Sequence, residues 1–163
     1  MYIKKLVGTK CYLSPLNLED AEQYTVWLND MEVTDNLQLI SSVITVDGER
    51  ELLKKLAQEH NYGIIDIANN QLIGNAGFID INHLHRTAEI GIFIGDKSYW
   101  SKGYGQEALS LLLDYAFKKL NLHSILLRVY DFNQRAIACY EKTGFQKIGE
   151  IRDGLIRNME YHN

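Results

Sequence analysis

Between residues 62 and 94 the chain runs through three strand-like segments: YGIIDIA from Tyr62, LIGNAGFIDI from Leu72 and TAEIGIFI from Thr87. The only breaks are Asn69-Asn70 and the stretch from Asn82 to His85. A parallel pair needs a crossover of roughly a dozen residues or more, whereas breaks this short fit hairpins. The three strands are therefore expected to lie side by side and antiparallel. That one constraint commits the first half of the chain to a sheet.

The second half changes period. Leu109, Leu112, Leu113, Ala116, Phe117 and Leu120 recur at helical spacing, with Gln106, Glu107, Ser110, Asp114 and Lys118 elsewhere around the helix. SILLRVY from Ser124 reads as a strand. Residues 133–142 read as a short helix stopped by Gly144, and FQKIGEI from Phe145 as another strand. A strand–helix–strand connection implies a local parallel pair. Upstream, residues 10–16 read as a first strand. Asn17 caps a helix with Ala21, Tyr24 and Leu28 on one face. Residues 37–46 look extended, and Asp47 caps a second helix with a stripe of Leu52, Leu53, Leu56 and Ala57. The expected class is α+β: a mixed central sheet, largely antiparallel in its first half, with one parallel pair and about four flanking helices. With 163 residues, a single proline and no linker-like tract, residues 1–163 read as one domain.

Charge and composition narrow the chemistry. The net charge of −4 leaves no basic footprint for nucleic acid, and a mildly acidic surface tolerates a cationic small substrate. Apolar runs are too short to span a membrane, and the N-terminus lacks a signal core, so the expected location is cytoplasmic. Cys11 and Cys139 stand far apart. His83 and His85 have no partner at ligand spacing, so neither a disulfide framework nor a metal site is expected.

Gly103 and Gly105 immediately precede the long helix. A helix N-terminus presents unpaired N–H groups and partial positive charge, and glycines let backbone approach a phosphate closely. Ser101, Lys102, Gly103, Tyr104, Gly105 and Gln106 would together meet a pyrophosphate. The same Gly-x-Gly also serves a plain tight turn. The terminal Lys-Ser/Thr of a P-loop is missing. So are the third glycine and the preceding parallel unit of a dinucleotide fingerprint.

With these residues on the page, the chain resembles the GNAT superfamily of acyl-CoA N-acyltransferases. The superfamily's Arg/Gln-x-x-Gly-x-Gly/Ala stands here as Trp100-Ser101-Lys102-Gly103-Tyr104-Gly105. Trp100 departs from the pattern in the manner of the RimJ/RimL branch of ribosomal-protein N-terminal acetyltransferases. WLNDMEV from Trp27, AEIGIFI from Ala88 and FNQRAIACYEKTGF from Phe132 also resemble that branch. Relatives usually carry one more strand after a segment like NMEYHN, so the family's final strand is expected to be missing here. Relatives often dimerise, so a homodimer is one assembly the resemblance implies.

The resemblance implies acetyl-CoA as co-substrate, with no metal. It also implies an amine acceptor: a protein N-terminus, a polyamine, an aminoglycoside or an amino acid. The pantetheine arm would run along Phe93 and Ile94, which requires the central strand to splay from SILLRVY. An N–H near Phe93 would then hold the developing oxyanion. Tyr140 is the candidate acid. It shares a helical stripe with Asn133, Ala136 and Ile137, a pattern that also suits a core tyrosine. With tyrosine near 10 and a thiol near 8.5, full proton transfer is uphill by roughly 2 kcal/mol. Asn133 suits a plain N-cap, a cofactor contact, or both. Glu89 is the candidate base, acting through water. It shares a strand face with Gly91 and Phe93, where desolvation would raise its pKa, and the same position suits a solvent-facing glutamate. Asn29 and Glu32 are candidates for the acceptor pocket. The competing reading is a CoA-binding module without catalysis.

Overall fold

In the computed structural model, which describes residues 1–38 and 42–163, the three runs form one antiparallel meander. β1 (Leu6–Val7) and β2 (Cys11–Pro15) precede it, and β3 (Asn61–Asp66), β4 (Leu72–Asn82) and β5 (Thr87–Ile94) carry it. β6 (Ser124–Leu126) closes a six-stranded sheet in which the strands lie in chain order. All pairings are antiparallel except β5 with β6, which is parallel. The chain divides into two compact units, residues 1–127 and residues 128–163.

Within the first unit the sheet is covered on both faces. Alternation along a strand sends neighbours to opposite sides. Tyr12, Ile65 and Leu72 join Ala21, Tyr24, Trp27 and Leu28 of α1 (Ala21–Leu28) and Leu53 of α3 (Val46–Leu56) in one buried cluster. The short α2 (Met31–Thr34) adds Val33 to it. Leu13 and Ile64, paired in register, point the other way. There α4 (Tyr104–Lys118) buries Ala108, Leu109, Leu112 and Ala116. The result is three layers, with helices on both faces of the mixed sheet.

Several local readings change. The helix after Asn17 begins as a 3-10 turn over Leu18–Asp20, with Asn17 accepting from the Glu19 amide. α3 is capped by Thr45, whose hydroxyl accepts from Gly48 N–H, rather than by Asp47. Its buried positions are Glu49 and Leu53, while Leu52 is exposed. Of the segment expected to be extended, residues 39–41 lie outside the described residues, and Val46 already opens α3. Phe117 is exposed rather than part of the buried stripe. SILLRVY is a strand only over Ser124–Leu126.

The second unit holds α5 (Gln134–Thr143) and a hairpin of β7 (Leu155–Arg157) and β8 (Glu160–His162). Gly144 ends α5 at φ 103°, a left-handed conformation that glycine takes without a Cβ penalty. FQKIGEI does not form the expected strand. The hairpin returns to the segment before α5: the Asn163 amide donates to Asp131 Oδ2 at 3.0 Å. Phe132 lies between a stacked Tyr130, an edge-on His162 and the Arg157 guanidinium.

Candidate active site

The glycine loop leads from β5 into α4. Ser101 and Gly103 both take positive φ, 59° and 87°. Positive φ at Gly103, the N-cap of α4, costs a glycine little, and no side chain caps the helix there. The first bond into the helix runs from Glu107 N–H to Gly103 C=O at 3.0 Å. Among the described residues, no amide from Ser101 to Gln106 donates a hydrogen bond. Six consecutive N–H donors at the positive end of a helix are a ready anion cradle. The loop therefore has the donors to hold a phosphate or diphosphate group.

A carboxylate in the first turn of α4 would oppose such an anion. Glu107 is that residue, and it is turned away. It accepts from the amides of Thr9 at 2.9 Å, Lys10 at 2.8 Å and Cys11 at 2.8 Å, and from the Thr9 hydroxyl. Burial alone would raise its pKa, but these hydrogen bonds outweigh it and bring the carboxyl down to about 2. The same turn supplies Lys10, whose Nζ donates to Lys102 C=O at 2.8 Å. Helical spacing placed Glu107 off the apolar stripe and said nothing of this partner.

Two further contacts hold the loop. The Trp100 indole N–H donates to Ile94 C=O at 2.8 Å, so the residue that departs from the superfamily pattern ties the loop to the end of β5. Tyr99 and Tyr104, one at each end, pack edge to face at 5.0 Å. Both hydroxyls donate to the buried Asp66, at 3.0 and 3.2 Å. Neither Asp66 nor Tyr99 stood out in the sequence. Their only signal was a carboxylate ending a strand just before the Asn69-Asn70 turn.

Along β5 the parallel pairing with β6 stops at Glu89 opposite Leu126. Residues 90–94 extend past it with no register partner in β6. Phe93 turns its ring toward Tyr24 and Trp27, with centroids at 6.1 and 6.3 Å. Glu89 is half-buried, on the same strand face as Gly91 and Phe93. Four residues separate Glu89 from Phe93, about 13 Å along a strand.

The two acceptor-pocket candidates have definite structural partners. Asn29 donates its amide to the carbonyls of Thr25 and Ile44, both at 2.8 Å, clasping the end of α1 to the segment before α3. Glu32 pairs with Lys97 at 2.7 Å, and Asp30 joins them at 2.8 Å. Next to this region a cavity of about 380 Å³ is lined by Tyr2, Asp20, Gln23, Trp27, Asn70, Gln71, Leu72 and Asp96. Among the described residues its lining has two carboxylates, Asp20 and Asp96, and no Lys, Arg or His side chain.

In the second unit Asn133 is the N-cap of α5, its side-chain oxygen accepting from Ala136 N–H at 3.2 Å. Tyr140 lies one face along, its ring edge-on to Phe145 at 6.1 Å. Burial pushes its phenol up to about 12, helped by Cys139 and offset by Arg135. Among the described residues no group of three His, Cys, Asp or Glu side chains is placed to hold a metal ion, and no helix is long and apolar enough to cross a membrane.

The family model of the acetyltransferase (GNAT) domain matches residues 10–146. The chain belongs to the GNAT acetyltransferase family. This acetyltransferase is 32% identical over 157 residues to a protein named uncharacterized N-acetyltransferase p20 from Bacillus licheniformis, covering 93% of this chain and 87% of that one. It is 35% identical over 100 residues to spermidine N(1)-acetyltransferase of Vibrio cholerae, covering 61% and 57%. Among solved structures, the spermidine N-acetyltransferase of Vibrio cholerae in complex with CoA and spermine superposes with a TM-score of 0.84 at 28% identity, covering 95% and 92%. A GNAT-family acetyltransferase from Bacillus anthracis matches with the same TM-score at 25% identity, covering 99% and 93%. Membership makes the acetyltransferase an enzyme with acetyl-CoA as its co-substrate, which sets aside the reading of a CoA-binding module without catalysis.

Proposed function

We propose that this enzyme acetylates a primary amine of a polyamine-like cation. The observation that carries the cofactor half is the run of six unpaired amides from Ser101 to Gln106. The acceptor half is supported by the relatives named spermidine acetyltransferases and by the cavity lined in part by Asp20 and Asp96. A carboxylate-lined, lysine-free wall favours a multiply charged amine over a neutral amino-acid side chain.

Acetyl-CoA supplies an activated acetyl group as a thioester. The Ser101, Lys102, Gly103, Tyr104, Gly105 and Gln106 amides hold its diphosphate, and the β5 backbone at Phe93 and Ile94, past the end of the β6 pairing, receives the pantetheine arm. Asn133 contributes a side-chain amide beyond its capping role. A protonated alkylamine, with pKa near 10.4, must lose a proton before it attacks. Glu89 takes that proton through water, because about 13 Å of strand separates it from Phe93. Tyr140 donates to the leaving sulfur. With its phenol at about 12 and a thiol near 8.5, complete transfer is uphill by roughly 5 kcal/mol. That exceeds the roughly 2 kcal/mol expected from unperturbed values, so Tyr140 acts as a hydrogen-bond donor to the sulfur as the C–S bond breaks, and the leaving thiolate takes up the proton that the attacking nitrogen loses on becoming the amide. The whole chain, residues 1–163, works as one acetyltransferase domain.

The test is thiol release from acetyl-CoA against spermidine, spermine, aminoglycosides, amino acids and peptides with free N-termini, with Tyr140→Phe run beside the wild type. Release confined to the polyamines, with kcat lowered in the variant, is the expected result. Release with peptides alone would replace the acceptor class, and a fully active variant would remove Tyr140 from the mechanism.

A further inference from the structure

Asp66 ends β3 in a buried position and is 4% exposed. Its carboxylate is a hub. Oδ1 accepts from the Ala68 amide at 3.1 Å and the Tyr104 hydroxyl at 3.2 Å, and Oδ2 accepts from the Tyr99 hydroxyl at 3.0 Å. Its main chain also organises the β3–β4 turn, accepting from Asn70 and donating to Gln71 C=O, both at 2.9 Å. Tyr99 is the last residue before the glycine loop and Tyr104 the first residue of α4. One carboxylate, set in the sheet, therefore grips the two residues that bracket Trp100–Gly103, and Tyr104 itself carries the fourth of the six unpaired amides. Asn69 adds a second grip on Tyr99, its amide donating to the hydroxyl at 2.8 Å.

We infer that Asp66 is a positioning residue for coenzyme A: through Tyr99 and Tyr104 it holds the Ser101–Gln106 amides in a converged arrangement before the ligand arrives. This rests on the proposed role of that loop as the diphosphate cradle. The physical reason is entropic. The loop makes few bonds of its own, and two of its residues sit at positive φ. A free loop would have to be ordered on each binding event, and ordering several residues costs affinity. Charge-assisted hydrogen bonds are the strong ones, and here the accepting carboxylate is buried while the two tyrosines are partly exposed.

The experiment compares wild type with Asp66→Asn and with the double variant Tyr99→Phe/Tyr104→Phe, which removes both grips while keeping the buried acid. Three readings are taken on each: the Kd of CoA by calorimetry, KM for acetyl-CoA against kcat, and the rate of tryptic cleavage after Lys102 in the ligand-free protein. The expected result is a Kd and a KM for acetyl-CoA raised roughly 10- to 100-fold, as loss of a charge-assisted hydrogen bond implies, with kcat changed less than about twofold because the lost groups act on binding and not on the reacting atoms. Cleavage after Lys102 should rise in both variants. A lower Tm with unchanged Kd and unchanged cleavage would overturn the inference and leave Asp66 purely structural. Faster cleavage with unchanged Kd would keep the grip but remove the loop from the diphosphate site, which is a failure of the functional reading instead.

Discussion

Tyr140 shows how far environment moves a single group. Its spacing from Asn133 put it on a ligand-facing stripe, but spacing does not report burial. The phenol sits at about 12 because burial disfavours its charged form. A raised pKa keeps the donor protonated to higher pH. The pH profile of kcat is therefore expected to show no loss from tyrosine ionisation up to about pH 10.5, whereas an unperturbed phenol would lose half its donor near pH 10. A fall centred near 10 that disappears in Tyr140→Phe would refute this. Asn133 is a simpler case. Its cap on α5 was legible from residue type and position, and Asn133→Ala should cost about 1 kcal/mol of stability by chemical denaturation. A cost well under that would mean the cap is redundant.

At the scale of elements, the joint between α4 and the β1–β2 turn is the informative one. Glu107 has a folded pKa of about 2 against an ordinary value of 4.5. The folded state thus binds that proton less readily than the unfolded one. Its stabilising contribution is present in full above about pH 4.5 and is lost as pH falls through about 2. Glu107→Gln should flatten the acid limb of the stability curve in that window and lower stability at pH 7 by about 1.5–3 kcal/mol, the range for hydrogen bonds to a charged group. An unchanged acid limb would show that other carboxylates govern it. The helix itself was plain from its stripe. Its anchorage was not, because the partners lie 98, 97 and 96 residues away in the chain.

For the whole molecule, two bulk properties can be tested. Binding to the folded state alone stabilises it, so CoA at a hundredfold excess over its Kd should add about 2.7 kcal/mol, or roughly 5–10 °C in Tm. No shift at that excess would contradict specific binding. The net charge of −4 and the carboxylate-lined cavity should draw a polyamine electrostatically. KM for such an acceptor is expected to rise with salt between about 50 and 300 mM, while KM for a neutral amine stays flat. A salt-insensitive KM would argue that apolar contact selects the acceptor.

The sequence by itself determined the meander, the parallel crossover, the three-layer class, the glycine loop and the family. Each of these is written in local periodicity, break length or a contiguous motif, which short-range geometry reads directly. It misplaced the cap of α3 by two residues, made Leu52 a core position, and read FQKIGEI as a strand. In each case the local pattern was compatible with two outcomes and packing chose between them. Only the tertiary structure decided that Asp66 grips Tyr99 and Tyr104, that Glu107 turns to the Thr9–Cys11 amides, and that Trp100 binds Ile94. These are bonds between residues distant in the chain. Their partners are selected by where the sheet and the helix bring them, and no spacing along the sequence encodes that meeting.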